Sequence, residues 1–251
     1  MRRLIRNATI GLAIGLAACN SDGMTGTDGD PLQVDHDVAV VAADAVGQDI
    51  ELMGGPAGTL GIGLAPVVER NALHCESHTR GGLTVTRTCV FKDAAGNVQQ
   101  AYDPNTTASV AIHAVIDGEV SHDRWSATVH RVRDLVVSGL AGDETTRTWN
   151  GTGSSSVSRS RHADGNAART YDVTGDLTVT NVVIPAPRTD DSWPLSGTIT
   201  KHFTIKVTGG PRDGQTHERT VTVTFNGTRL VPIVVNGETF TLDLKTRRID
   251  K

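Results

Sequence analysis

Thr220-Val221-Thr222-Val223-Thr224-Phe225-Asn226-Gly227 is the stretch whose reading decides the fold. Successive side chains of an extended chain point to opposite faces, so Val221, Val223 and Phe225 share one face and three threonines share the other. Asn-Gly follows, a pair that accepts the positive φ angles of a tight hairpin. The unit is a strand with one dry and one wet face, closed by a turn, which is the pattern of antiparallel sheet. Threonine on the wet face raises strand propensity without adding apolar surface.

The same alternation recurs outward from this stretch. Phe240, Leu242 and Leu244 alternate with Thr239, Thr241 and Asp243. Ile199, Phe203, Ile205 and Val207 do likewise, interrupted by Lys201, and similar runs cover 83–91, 110–116, 125–137 and 171–184. Turn signals fall between them at Ala95-Gly96-Asn97, Asp117-Gly118, Gly142-Asp143, Asp164-Gly165-Asn166, Gly209-Gly210-Pro211 and Asn236-Gly237. About ten strands joined mostly as a meander are expected. So many strands curl or close, because a flat open sheet leaves aggregation-prone edges. The expectation is a mainly β fold: a curled or barrel-like antiparallel sheet, with a two-sheet β-sandwich as the alternative.

Residues 34–53 change period. Val34, Val38, Val41, Ala45, Gln48 and Leu52 follow helical spacing, Asp35 and Asp37 suit the positive end of the helix dipole, and Gly54-Gly55-Pro56 stops it. A helix over about 35–53, packed on the apolar face of the sheet, is expected. The glycine-rich stretch 54–63 has no Lys-Ser/Thr ending and no strand before it, so it is a connection and not a phosphate loop.

The whole chain has 251 residues, 24 basic and 28 acidic side chains and 4% aromatics. The mildly acidic balance argues against a nucleic-acid partner, whose footprint is a clustered basic surface. Nowhere is the chain apolar for the 18 or so residues that a spanning helix needs.

The amino terminus reads as an address. Arg2, Arg3 and Arg6 precede a short apolar stretch, residues 10–18, of secretory h-region length. It ends in Leu16-Ala17-Ala18-Cys19, which resembles the lipobox of bacterial lipoproteins. That resemblance implies a signal peptide over 1–18 and a lipid-attachment site at Cys19, the first mature residue. Several acyl chains would anchor stably where one binds only marginally. Asn20 lacks the Asp that often retains lipoproteins at the inner membrane of enteric bacteria, which implies an outer-membrane position in the cell envelope. Cleavage removes three arginines and takes the formal charge from −4 to −7. Residues 19–33 then form a polar tether, and 34–251 a single β-rich domain.

In an oxidising compartment the two remaining cysteines, Cys75 and Cys89, are expected to pair. His74-Cys75-Glu76-Ser77-His78 has metal-ligand types close together, but a disulfide removes the thiolate and the chain offers no matching Cys-x-x-Cys partner, so no metal or cofactor is assigned. Between 141 and 169 the only large apolar residues are Trp149 and Val157. With Arg147, Arg159, Arg161 and Arg169, this segment reads as an exposed edge or a hairpin extending past the core, a basic feature able to meet an acidic partner or polysaccharide. No nucleophile-elbow, Ser-x-x-Lys, zinc-protease or phosphate-loop motif is present. His113, His130 and His202 sit among apolar strand positions, as on a wet face. The leading expectation is a non-enzymatic binding or scaffolding domain at the envelope, with an envelope protein or a polysaccharide as partner. The alternatives are a carrier holding an apolar ligand between sheet and helix, and an envelope hydrolase without a legible motif.

Overall fold

The computed structural model describes residues 75, 77–80, 82–122, 125–142, 144–161, 169–186, 189, 191–209 and 213–250. Cys19, the tether and the expected helix at 35–53 lie outside the described residues.

Twelve strands alternate with turns: β1 (His78–Arg80), β2 (Leu83–Asp93), β3 (Val98–Gln99), β4 (Thr107–His122), β5 (Trp125–Ser138), β6 (Thr146–Arg161), β7 (Arg169–Pro185), β8 (Ser196–Thr208), β9 (Thr216–Thr224), β10 (Leu230–Val235), β11 (Glu238–Asp243) and β12 (Arg248–Asp250). Eleven of them follow one path in chain order, with β3 set aside against β2. Every pairing is antiparallel. The expected meander is therefore present. It is a single sheet with β1 at one edge and β12 at the other, so neither the closed barrel nor the two-sheet sandwich describes it.

The alternation read from the sequence is the alternation of burial. Val221, Val223 and Phe225 are buried, as are Phe240 and Leu242. Along β2 and β4 the dry face is Leu83, Val85, Val110, Ile112, Ala114 and Ile116. One large core cluster runs from β4 to β12, and a smaller one holds Leu83, Val85, Ile116, Val120 and Val129. Burial at about 25 cal/mol per Å² of apolar surface makes this face the main source of stability. Asn236 and Gly237 take φ of 47° and 92° between the paired Val235 and Glu238, the tight hairpin that Asn-Gly specifies.

Asp117-Gly118 is not a turn. It lies inside β4, opposite Val129 and His130. Gly118 has φ +152°, and a Cβ there would meet the Gly82 carbonyl oxygen at 2.0 Å. The glycine serves close backbone approach between the start of β2 and β4, where the Glu119 N–H donates to Gly82 O at 3.1 Å.

Between the two apolar clusters the dry face carries a cationic row. Register aligns Arg87, Ala114, Arg133, Gly153, Leu177, Lys201 and Val221 across seven strands. Arg133 is 3% exposed and Lys201 4%. Arg133 lies over Gly153, where a Cβ would come 2.8 Å from its Cδ, and donates to the Val132 and Ser154 carbonyls at 2.9 Å each. Burial holds the Arg87 guanidinium below its ordinary pKa.

Candidate functional site: a polar depression on the wet face

Strand pairing alone builds this site. Ser154 of β6 stands opposite Asp176 of β7, Asp176 opposite His202 of β8, and His202 opposite Thr220 of β9. Directly opposed residues have Cβ atoms about 5 Å apart, so four polar side chains form a continuous row across four strands. One step along the strands, Thr174, Thr204 and Glu218 form a second row. Together they line a shallow depression of about 550 Å³. Ser154, Asp176, His202 and Glu218 are exposed, and Thr204 and Thr220 half-buried.

Hydrogen bonds fix one wall. His202 Nδ1 and Thr220 Oγ1 share a hydrogen bond of 2.9 Å. Asn236, from the β10–β11 turn, accepts from the Thr220 N–H through Oδ1 at 2.9 Å, and its own N–H donates to Thr220 O at 3.0 Å. Beneath the depression, Gly175 leaves no room for a side chain: a Cβ would stand 2.3 Å from the His202 carbonyl oxygen.

Two histidine–aspartate pairs lie on the same face between β4 and β5. His113 Nδ1 is 2.7 Å from Asp134 Oδ1, and His130 Nδ1 is 2.5 Å from Asp117 Oδ1. They flank the opposed Val115 and Val132. All three strand histidines thus occupy the wet face, as expected. Among the described residues no group of three or more His, Cys, Asp or Glu is placed to hold a metal ion. The Asp93 carboxylate accepts from the Asn97 N–H and Nδ2 at 2.8 and 2.9 Å, which holds its pKa below the usual range.

Cys75 and Cys89 are paired as a disulfide, with Cα atoms 6.1 Å apart. Cys89 sits on the dry face opposite Ile112, against the large core cluster. The basic segment is placed differently from its expectation. β6 pairs with β5 and β7 along its length, so it is a central strand and not an edge, and it does not project past its neighbours. Trp149 is completely buried. Arg147 is half-buried, donates to the Gly139 carbonyl, and has its pKa lowered by that burial. Arg159 lies about 40 Å along the strand from Arg147, and Arg161 ends the strand opposite Trp125 and Arg169. Arg147 and Trp149 thus lie at the opposite end of the strand from positions 159 and 161, which share one face of it, with position 169 opposite 161.

Sequence reasoning did not assemble the Ser154–Asp176–His202–Thr220 row. Each member is visible as a polar position on a strand, but the row exists only through register, which one strand does not carry. No protein-family model matches the chain, and no curated protein or solved structure does. No helix of the described residues is long and apolar enough to cross a membrane.

Proposed function

We propose that the chain is a lipid-anchored lipoprotein of the bacterial cell envelope, held at the outer membrane, whose open β-sheet is a non-enzymatic binding or scaffolding domain. The observation that carries it is the order of cationic residues, short apolar run and Leu16-Ala17-Ala18-Cys19 at the amino terminus. The Cys75–Cys89 pair supports the oxidising compartment. The depression supports binding over carriage of an apolar ligand, because polar side chains line it and it opens on the wet face. On this reading a helix at about 35–53 packs by its apolar side on the apolar face of the sheet.

The test is metabolic labelling with palmitate in a bacterial host. The natural chain should take up label and fractionate with membranes. Cys19→Ala should lose the label and leave the membrane fraction, and equal labelling of the two would overturn the reading.

A further inference from the structure

We infer that the wet-face depression binds a neutral, polyhydroxylated glycan chain. The inference deepens the binding-domain reading by naming its ligand class.

The argument begins with the functional groups. Sugar hydroxyls donate and accept at once, so a surface that recognises them must offer both roles at short intervals. Asp176 and Glu218 are acceptors only, the Ser154 and Thr204 hydroxyls do both, and the His202 imidazole, with Nδ1 engaged by Thr220, has Nε2 left for a second partner. Strand geometry sets the intervals. Neighbours across the sheet are about 4.8 Å apart and same-face neighbours along a strand about 6.7 Å apart, so the groups form a two-dimensional grid and not a single point of contact. A depression that is shallow and spans four strands suits an extended polymer better than a compact ligand.

Charge and polarity then exclude competitors. Two carboxylates, Asp176 and Glu218, outnumber the one guanidinium, Arg219, among the lining residues and disfavour phosphate and sulfate groups. Phe203 is the one large apolar residue among those that line the depression, and it is buried, which leaves no apolar patch there for a lipid tail. A cationic peptide would satisfy the carboxylates, but it would leave the hydroxyls without the closely spaced partners that the grid offers. The grid is also preorganised, because β6, β7 and β8 are each paired on both sides here and the backbone pays little to bind.

The test is calorimetric titration of the full chain in detergent with four soluble probes: cellotetraose, an N-acetylglucosamine tetramer, a sulfated oligosaccharide and tetralysine. At least one neutral oligosaccharide should bind and the sulfated one should not. Asp176→Asn and Glu218→Gln should each weaken binding about tenfold or more, the usual loss for a hydrogen bond to a charged group. Thr88→Ala, on the same face but outside the depression, should leave it unchanged. All three positions are exposed, and circular dichroism checks that each variant folds. Failure of both neutral probes at millimolar concentration, binding of tetralysine alone, or affinity indifferent to both carboxylate substitutions would overturn the inference. Such a failure with palmitate labelling of Cys19 intact would leave the anchored-domain reading standing, and glycan binding without labelling would do the reverse.

Discussion

Asp243 is a buried acid at the end of β11, and its surroundings account for its charge. Arg229 donates to it from Nε at 2.7 Å and again from Nη2, and the N–H groups of Lys245 and Thr246 donate at 2.9 and 3.3 Å. Arg229 first, and the turn N–H groups after it, hold the Asp243 carboxyl well below the usual carboxylate range. A depressed folded-state pKa gives stability that is fully present above the unfolded value near 3.9 and is lost as pH falls toward the folded one. Asp243→Asn should therefore cost about 1–3 kcal/mol at neutral pH. It should also flatten the loss of stability below about pH 4, measured by urea denaturation at a series of pH values. The sequence announces none of this, because Asp243 alternates with Leu242 and Leu244 like any wet-face residue. Trp149 shows the opposite case. It is legible as a large apolar side chain, yet its burial depends on β5 and β7 on either side, where it stands opposite Val137 and Val182.

At the scale of elements, β9 and β6 show what composition conceals. β10 pairs with β9 only over Val221–Val223, and the Asn236 side chain continues that edge at Thr220. Backbone groups of alternate residues face the same side of a strand, so those of Glu218 and Thr216 face an edge with no strand among the described residues. Arg219 Nη1 donates to the Glu218 carbonyl at 2.8 Å. A charged side chain folded onto a strand edge opposes pairing with another chain. Arg219→Ala should promote concentration-dependent self-association, visible in sedimentation velocity, and an unchanged sedimentation coefficient across a concentration series would count against it.

β6 was hard to read for a related reason. Its Gly151, Gly153 and Ser155 fill the dry-face positions with small groups, and Arg133 from β5 occupies the space over Gly153. The apolar alternation that marks the other strands is absent where a neighbour supplies the bulk. The Thr/Val strands, with one face dry and one wet, were legible nearly throughout, since their period is a property of single strands. The meander order was legible too, from the short turn signals between strands, whereas closure and the polar row were not, since they depend on which residues end up opposite one another.

The whole molecule places each strand beside its neighbour in sequence from β4 to β12. The Cys75–Cys89 link is an added covalent constraint on that order, with 14 residues of separation. Closing a loop of this size removes unfolded-state entropy worth about 3 kcal/mol in the chain-entropy model. Reduction, or Cys75→Ser with Cys89→Ser, should lower the urea midpoint correspondingly with little change in slope. A midpoint insensitive to reductant would show that the link adds nothing to stability.

The same link decides how the sheet meets mechanical force. β1 is held by three residue pairs and joins directly to the chain before it. A pull on the amino-terminal side would, without the bond, peel β1 away rung by rung and then unzip β2 from its end. With the bond in place, load passing through Cys75 bypasses β1 and enters β2 at Cys89, opposite Ile112 and part-way along the long β2–β4 ladder. Tension then arrives where rungs on both sides resist together, so the first element to yield is no longer the three-residue edge strand.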